Sequence, residues 1–235
     1  MDRIESAQRH TGAMAEVPNV CAGPFGAAYD FYIERPRLMR WIGRAVWGID
    51  SSVLYASMEP IGRAPAGATI VDVPCGGGVA FRALSPEQDV RYLAADLSPK
   101  MLKRAERRAQ ARSLNQVELL SADMTELPFA DGEVDLFLSY SGLHMVDGPK
   151  KAVTEMARCL RPGGQLIGTT FLSDASRRAR TFFKAGSFSG HPLPPSRDDL
   201  RGWLEAAGFD DATIGPQAGF VAFEGHKRDH RGSLP

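Results

Sequence analysis

The sequence predicts one doubly wound α/β domain, a mostly parallel seven-stranded sheet with an antiparallel edge strand, preceded by an N-terminal helical cap. Three observations predict it. From Thr69 onward, apolar strand-like runs alternate with helical patterns; a glycine-rich loop, Pro74-Cys75-Gly76-Gly77-Gly78, follows the first run; and the last two runs are too close together for a helical crossover. At 235 residues the chain has material for one large domain with a complete core, and two independent domains would be crowded.

Residues 1–24 mix charge, Gly, Pro and Ala without a period and read as a mobile leader. Residues 25–63 form the cap, two or three short helices rich in aromatics (Phe25, Tyr29, Phe31, Tyr32, Trp41, Trp47, Tyr55) that pack on the main core. The core runs over 64–226, and 227–235 is a C-terminal tail. Its first strand is Thr69 to Val73, and the glycine loop then opens a helix near Val79. A second strand, Val90 to Ala95, ends at Asp96, where Ser98-Pro99 supplies an N-cap and a first-turn proline for a helix rich in Lys, Arg and Ala.

Val117 to Leu120 and Val134 to Ser139 are the third and fourth strands. The helix Lys151 to Leu160 carries apolar residues at Val153, Met156, Ala157 and Leu160, and Arg161-Pro162-Gly163-Gly164 stops it. Gln165 to Phe171 is the fifth strand, and Ser173 to Pro195 is an irregular segment with a short helix around Arg177, Arg178 and Arg180. Ser196 caps the last helix, Gly208 ends it, and strands near Asp211 to Gly215 and Phe220 to Phe223 close the sheet as an antiparallel hairpin.

Composition narrows the function. There are 28 basic and 28 acidic residues, so the net charge of zero gives no general attraction to nucleic acid or an anionic membrane. The basic residues Lys100, Lys103, Arg104, Arg107, Arg108 and Arg112 share one helix, remote in sequence from the loops that would meet an acceptor, and read as a solvated face. Cys21, Cys75 and Cys159 lack the short paired spacing of a metal or redox site, so no metal is expected and the thiols are read as free, in a reducing compartment. With no signal-like or membrane-spanning run, the expected location is the cytoplasm.

The glycine loop lies between a strand and a helix, the setting in which backbone N–H groups approach a nucleotide. It does not match a dinucleotide fingerprint, because the third glycine of a Gly-x-Gly-x-x-Gly run starting at Gly76 is Phe81. Three acids sharpen the reading. Asp96 ends the second strand about 20 residues beyond the loop, where a carboxylate accepts both hydroxyls of a ribose. Asp72 precedes the loop and would be unfavourable beside a pyrophosphate but acceptable beside a methionine ammonium or sulfonium. Asp123 follows the third strand, at the sheet end where ligands collect.

These segments, VDVPCGGG, AADLSPKML, SADMTELPFADGEVDLFLSYSGLHMV and ARCLRPGGQLIG, followed by WLEAAGF, together resemble the class I S-adenosylmethionine-dependent methyltransferases, in particular the small-molecule group that includes quinone-biosynthesis enzymes. The resemblance spans about Ile70 to Phe223 and implies a Rossmann-like methyltransferase fold, with S-adenosylmethionine as cofactor and S-adenosylhomocysteine as product. It also implies that Gly76 and Gly78 pass close to the methionine part, that Asp72 orients that end, and that Asp96 holds the ribose hydroxyls with Leu97 packed on the adenine. By the same resemblance Asp123 accepts from the adenine amino group, the Met124 backbone N–H serves a ring nitrogen, and Ser139 and Tyr140 line the methionine side. Pro74 departs from the family, which has glycine there, and removes a backbone donor. Each residue has a plainer alternative: Asp72 as a loop cap, Leu97 and Met124 as core, Ser139 as a turn cap.

Methyl transfer asks the protein chiefly to align and desolvate, because the sulfonium already carries a good leaving group. A base is needed only when the acceptor loses a proton that water does not take. His144, after the fourth strand in Ser141-Gly142-Leu143-His144, is the residue expected to serve, its alternative being a structural bond to a loop carbonyl. Tyr29 and Tyr32 in the cap are expected to cover the cofactor or meet the acceptor, a small and partly apolar molecule. The competing readings are a non-catalytic cofactor-binding regulatory or assembly subunit and an NAD-dependent enzyme, the latter disfavoured by Phe81 and Asp72.

Overall fold

The computed structural model describes residues 35, 41, 50, 52–173, 193–216 and 219–229. The leader, Cys21, Tyr29 and Tyr32 of the cap, the predicted helix around Arg177, and His191 lie outside the described residues.

Seven strands form one sheet in the order β3-β2-β1-β4-β5-β7-β6. They are β1 (Ala68–Asp72), β2 (Val90–Ala95), β3 (Val117–Leu120), β4 (Val134–Tyr140), β5 (Leu160–Phe171), β6 (Thr213–Ile214) and β7 (Phe220–His226). The first five are parallel, and β7 enters antiparallel between β5 and β6. Strand order reverses at β1, which pairs with β2 on one side and β4 on the other. A crevice at such a switch point, beyond the carboxyl ends of the strands, is where open α/β sheets bind ligands.

The helices are α1 (Ser52–Ala56), α2 (Pro99–Ala111), α3 (Pro149–Cys159) and α4 (Arg197–Ala206). Ala152, Val153, Met156 and Ala157 of α3 and Leu200 and Leu204 of α4 cover one face of the sheet, against Val71, Leu93, Phe137 and Leu166. Leu54 of α1 and Ala105 and Ala109 of α2 cover the other, against Ile70, Tyr92, Leu138 and Ile167. That division gives the doubly wound architecture expected from the sequence. Both predicted caps form: the Ser98 hydroxyl accepts from Met101 N, and Ser196 and Asp199 make a reciprocal capping box.

Three expectations need correction. The helix predicted near Val79 is only a 3₁₀-helix over Val79–Ala83, because Ser85-Pro86 follows within two residues and the residue before proline is driven out of the α region. β5 starts at Leu160 rather than Gln165. Arg161-Pro162-Gly163-Gly164 does end α3, but it then forms a bulge in the strand: Val134 pairs with Leu160 and Leu136 with Gln165. β7 runs to His226 rather than Phe223 because it pairs with β5 from Phe171↔Phe220 to Gln165↔His226, while β6 shrinks to two residues.

The segment 52–63 ahead of β1 is fastened to the core by polar contacts. Tyr140 Oη donates to Ser57 O at 3.0 Å, Gln88 Nε2 donates to Ile61 O at 2.7 Å, and the Arg82 guanidinium lies 4.5 Å from the centre of the Tyr55 ring.

Candidate active site

The glycine loop connects β1 to the short 3₁₀-helix, and its backbone N–H groups are largely spent on the protein itself. Cys75 N donates to Ala95 O at 2.8 Å, Gly78 N to Cys75 O at 2.9 Å, and Gly76 N to Asp96 Oδ2 at 2.9 Å. A pyrophosphate cradle needs such groups aimed at the ligand, with a helix N-terminus behind them. Here three of these groups are bonded within the protein and only a five-residue 3₁₀-helix follows, a poorer fit to a pyrophosphate than a full helix N-terminus.

Two glycines of the loop differ in what they face. At Gly76, with φ +52°, a Cβ would meet nothing within 4 Å. At Gly78, with φ +77°, a Cβ would stand 2.4 Å from the Phe81 ring. Gly76 therefore presents bare backbone to open space, whereas Gly78 makes room for Phe81. Phe81, the residue that spoils the dinucleotide pattern, is fully buried and packs edge-on against Tyr92, with ring centres 5.5 Å apart.

Asp72, on the last residue of β1, is 1% exposed. Its Oδ2 accepts from Tyr92 Oη at 2.9 Å, and its Oδ1 has no partner. Burial pushes the carboxyl up to about 8 against the opposing effect of the Tyr92 bond, and the nearby Asp96 charge adds to the rise. An orphaned buried carboxylate oxygen is costly unless a ligand completes it. It does not cap the loop.

Asp96 accepts from Gly76 N through Oδ2 and from Ser98 N through Oδ1, at 2.9 and 2.8 Å. Burial raises its pKa, and the two backbone bonds oppose that rise. A carboxylate has about four acceptor sites, so two protein bonds leave capacity for a pair of hydroxyls. Leu97 beside it is 37% exposed, one of three large apolar side chains exposed among the described residues. Asp123, half-buried after β3, is held by Thr125, whose N and Oγ1 both donate to its Oδ1, at 2.7 and 2.9 Å. The Met124 side chain is buried in the core between α3 and the sheet.

Ser139 and Tyr140 end β4 with side chains on opposite faces. The Ser139 hydroxyl is fully buried without a partner, and Gly142 lies over it, since a Cβ there would stand 3.1 Å away and 2.3 Å from Pro74 Cδ. Tyr140 sits on the Asp72 face but gives its hydroxyl to Ser57 O. Beyond them, Ser141 N donates to Thr169 O and Met145 N to Gly142 O, both at 2.8 Å, which folds the loop over the end of β5. His144 lies in that fold, buried. Its Nδ1 is 3.3 Å from Thr170 Oγ1 and 3.5 Å from Phe171 N, and its ring stands edge-on to Phe171 at 4.8 Å. Phe171 in turn packs on Phe220 of β7 at 4.9 Å.

The structure thus brings Asp72, Gly76, Asp96 and Leu97 together at the carboxyl ends of β1 and β2, and places Ser139, Tyr140 and His144 at or just beyond the end of β4. Sequence reasoning missed Tyr92, Phe81, Thr170, Phe171 and Phe220. Tyr92 carried a signal: a hydroxyl in the middle of an apolar strand has to find a partner once buried.

The arrangement fits S-adenosylmethionine on three grounds visible in the fold: the partnerless Asp72 Oδ1 suits an ammonium, Gly76 offers open backbone, and the exposed Leu97 stands beside a carboxylate with acceptor capacity. Comparison with known proteins agrees. The family model of the methyltransferase domain matches residues 71–168. A demethylmenaquinone methyltransferase of Clavibacter sepedonicus is 31% identical over 194 residues, covering 72% of this chain and 75% of that protein. An uncharacterized chloroplastic methyltransferase of Arabidopsis thaliana is 31% identical over 146 residues, 57% of this chain, and the chain spans only 40% of that protein's length. Among solved structures, phosphoethanolamine N-methyltransferase 2 of Haemonchus contortus with S-adenosyl-L-methionine superposes at a TM-score of 0.71, with 15% identity over 93% of this chain and 61% of that one. The chain belongs to the class I S-adenosylmethionine-dependent methyltransferases, and its cofactor is S-adenosylmethionine. Among the described residues no group of three or more His, Cys, Asp or Glu is placed to hold a metal ion, and no helix is long and apolar enough to cross a membrane.

Proposed function

We propose that the chain methylates a small, partly apolar, ring-bearing acceptor seated against the aromatic wall of His144, Phe171 and Phe220, with His144 as the base. The observation that carries this reading is three packed rings in series, His144, Phe171 and Phe220, at the carboxyl end of β5 and the facing end of β7, the sheet end that also carries Asp72 and Ser139. Flat apolar rings stack on such surfaces, and a neighbouring imidazole suits an acceptor hydroxyl. The relative named for demethylmenaquinone supports a quinol-like acceptor.

S-adenosylmethionine supplies, when bound, an electrophilic methyl group on a sulfonium. In this reading Asp72 takes its ammonium, Asp96 its ribose hydroxyls, Leu97 and the Asp123–Met124 backbone its adenine, and Gly76 and Ser139 border the methionine part. Gly78 serves by admitting Phe81, and Tyr140 by tying the cap to the sheet. Tyr29 and Tyr32 remain proposed for the cap side. For His144, Nδ1 accepts from Phe171 N at 3.5 Å and lies 3.3 Å from Thr170 Oγ1, contacts that set the position of the ring.

The test is transfer of label from methyl-labelled S-adenosylmethionine to a panel of naphthoquinols, benzoquinols and simple phenols, scored against small amines and carboxylates. The reading expects label in ring-bearing acceptors. Label confined to amines or carboxylates would overturn it.

A further inference from the structure

We propose that Tyr92 is a positioning residue for cofactor binding, holding one oxygen of Asp72 so that the other meets the cofactor's ammonium, and that seating the ligand releases a proton from Asp72. This rests on the assignment of Asp72 to that ammonium.

The Tyr92 ring is fully buried and clamped edge-on by Phe81, which occupies the space that Gly78 leaves by lacking a side chain. The clamp fixes where the hydroxyl points, and it points at Asp72 Oδ2, 2.9 Å away. β1 and β2 are in register at Ile70↔Tyr92 and Asp72↔Ala94, so the two side chains share one face of the sheet, two pairings apart. With Oδ2 accepting from Tyr92, the proton of a neutral Asp72 rides on Oδ1, the atom without a protein partner.

Among the described residues, the titratable groups acting around this carboxyl are Tyr92 and Asp96, on and just after β2, Cys75 from the loop and Tyr140 from β4, and none of these is a cation. Tyr140 spends its hydroxyl on Ser57 O. Burial and the Asp72 charge hold the Tyr92 hydroxyl well above its usual range, so Tyr92 stays a donor. In this surround Asp72 is pushed up to about 8 and is mainly neutral at neutral pH until a cation arrives. The balanced step is then Asp72 Oδ1–H plus a ligand ammonium going to a carboxylate–ammonium pair plus one proton, taken by the buffer. Only the O–H bond breaks, and the Tyr92 bond to Oδ2 stabilises the carboxylate that forms.

The experiment is calorimetric titration of the full chain with S-adenosylhomocysteine between about pH 6 and 9, in buffers of different ionisation enthalpy, which counts protons released. For the unmodified chain the expected result is a release approaching one proton near the acid end and an affinity rising about tenfold per pH unit, flattening near pH 8. Tyr92→Phe, which keeps the ring, is expected to weaken binding about tenfold or more at pH 7 and move the flattening to higher pH. Asp72→Asn isolates the ligand's own amine and is expected to bind weakly with the rising limb gone. No proton release from the unmodified chain, or a Tyr92→Phe profile superimposable on it, overturns the inference. If Asp72→Asn binds as well as the unmodified chain, the assignment of Asp72 itself falls; if Asp72→Asn is weak and Tyr92→Phe is not, only the role of Tyr92 falls. The proton count needs no variant to fold.

Discussion

Alanine at Gly76 and at Gly78 should fail in different ways, although the two glycines are two residues apart and both have positive φ. At Gly78 an added methyl would stand 2.4 to 2.9 Å from three atoms of the Phe81 ring. That ring cannot yield cheaply, because it is fully buried and wedged against Tyr92. Overpacking of this kind costs about 1 to 3 kcal/mol, and a left-handed backbone with a side chain adds about 1 kcal/mol. The sum, about 2 to 4 kcal/mol, corresponds to roughly 5 to 15 °C in Tm for a chain of this size. Gly76→Ala meets nothing within 4 Å and should carry only the backbone cost, about 1 kcal/mol or roughly 2 to 4 °C. Its methyl would instead project into the open space beside Gly76 and, where the cofactor lies there, weaken S-adenosylhomocysteine about tenfold or more. Thermal unfolding followed by circular dichroism, with and without the ligand, separates the two effects. Equal losses of Tm in the unliganded variants, or a Gly76→Ala variant with full ligand affinity, would refute the reasoning.

His144→Ala should lower turnover about tenfold or more while S-adenosylhomocysteine affinity stays near that of the unmodified chain; unchanged turnover in a steady-state assay removes the base assignment. Asp72 also makes stability depend on pH. Its folded pKa of about 8 lies above the unfolded value of about 3.9, so the folded chain holds a proton that the unfolded chain gives up. Its contribution is therefore fully present below about pH 4 and is lost as pH rises towards 8. Tm of the ligand-free protein measured across that range should fall more steeply for the unmodified chain than for Asp72→Asn, and parallel curves would contradict the shift.

The succession of strands and helices in a doubly wound sheet was readable because each strand carried its own signal: an apolar run, a polar end and a turn or cap. Asp72 and Asp96 were readable for the same reason, as acids at strand ends on either side of a glycine loop. What the one-dimensional pattern could not supply was register. The bond from Tyr92 to Asp72 exists because β1 and β2 align Ile70 with Tyr92, a relation set by pairing between strands. The partners of His144 were hidden likewise, since Thr170 and Phe171 meet it only when the loop after β4 folds over the end of β5. Glycine proved ambiguous in both directions. Gly163 and Gly164 read as a helix stop and also build a bulge, and Gly78, expected from the resemblance to pass close to the cofactor, also leaves the space that Phe81 fills. The helix expected after the loop failed on length, because Ser85-Pro86 leaves no room for a full α-turn to propagate.

The central claim is that this loop, with its N–H groups tied to Ala95, Cys75 and Asp96 and a partnerless carboxylate oxygen beside it, takes a cationic, phosphate-free adenosine cofactor. Parallel calorimetric titrations with S-adenosylhomocysteine and NAD at pH 8 test it most directly. The account expects saturable binding of S-adenosylhomocysteine with Kd below about 50 μM and no measurable heat from NAD. Binding of NAD at comparable affinity, or no binding of S-adenosylhomocysteine at that concentration, would contradict it.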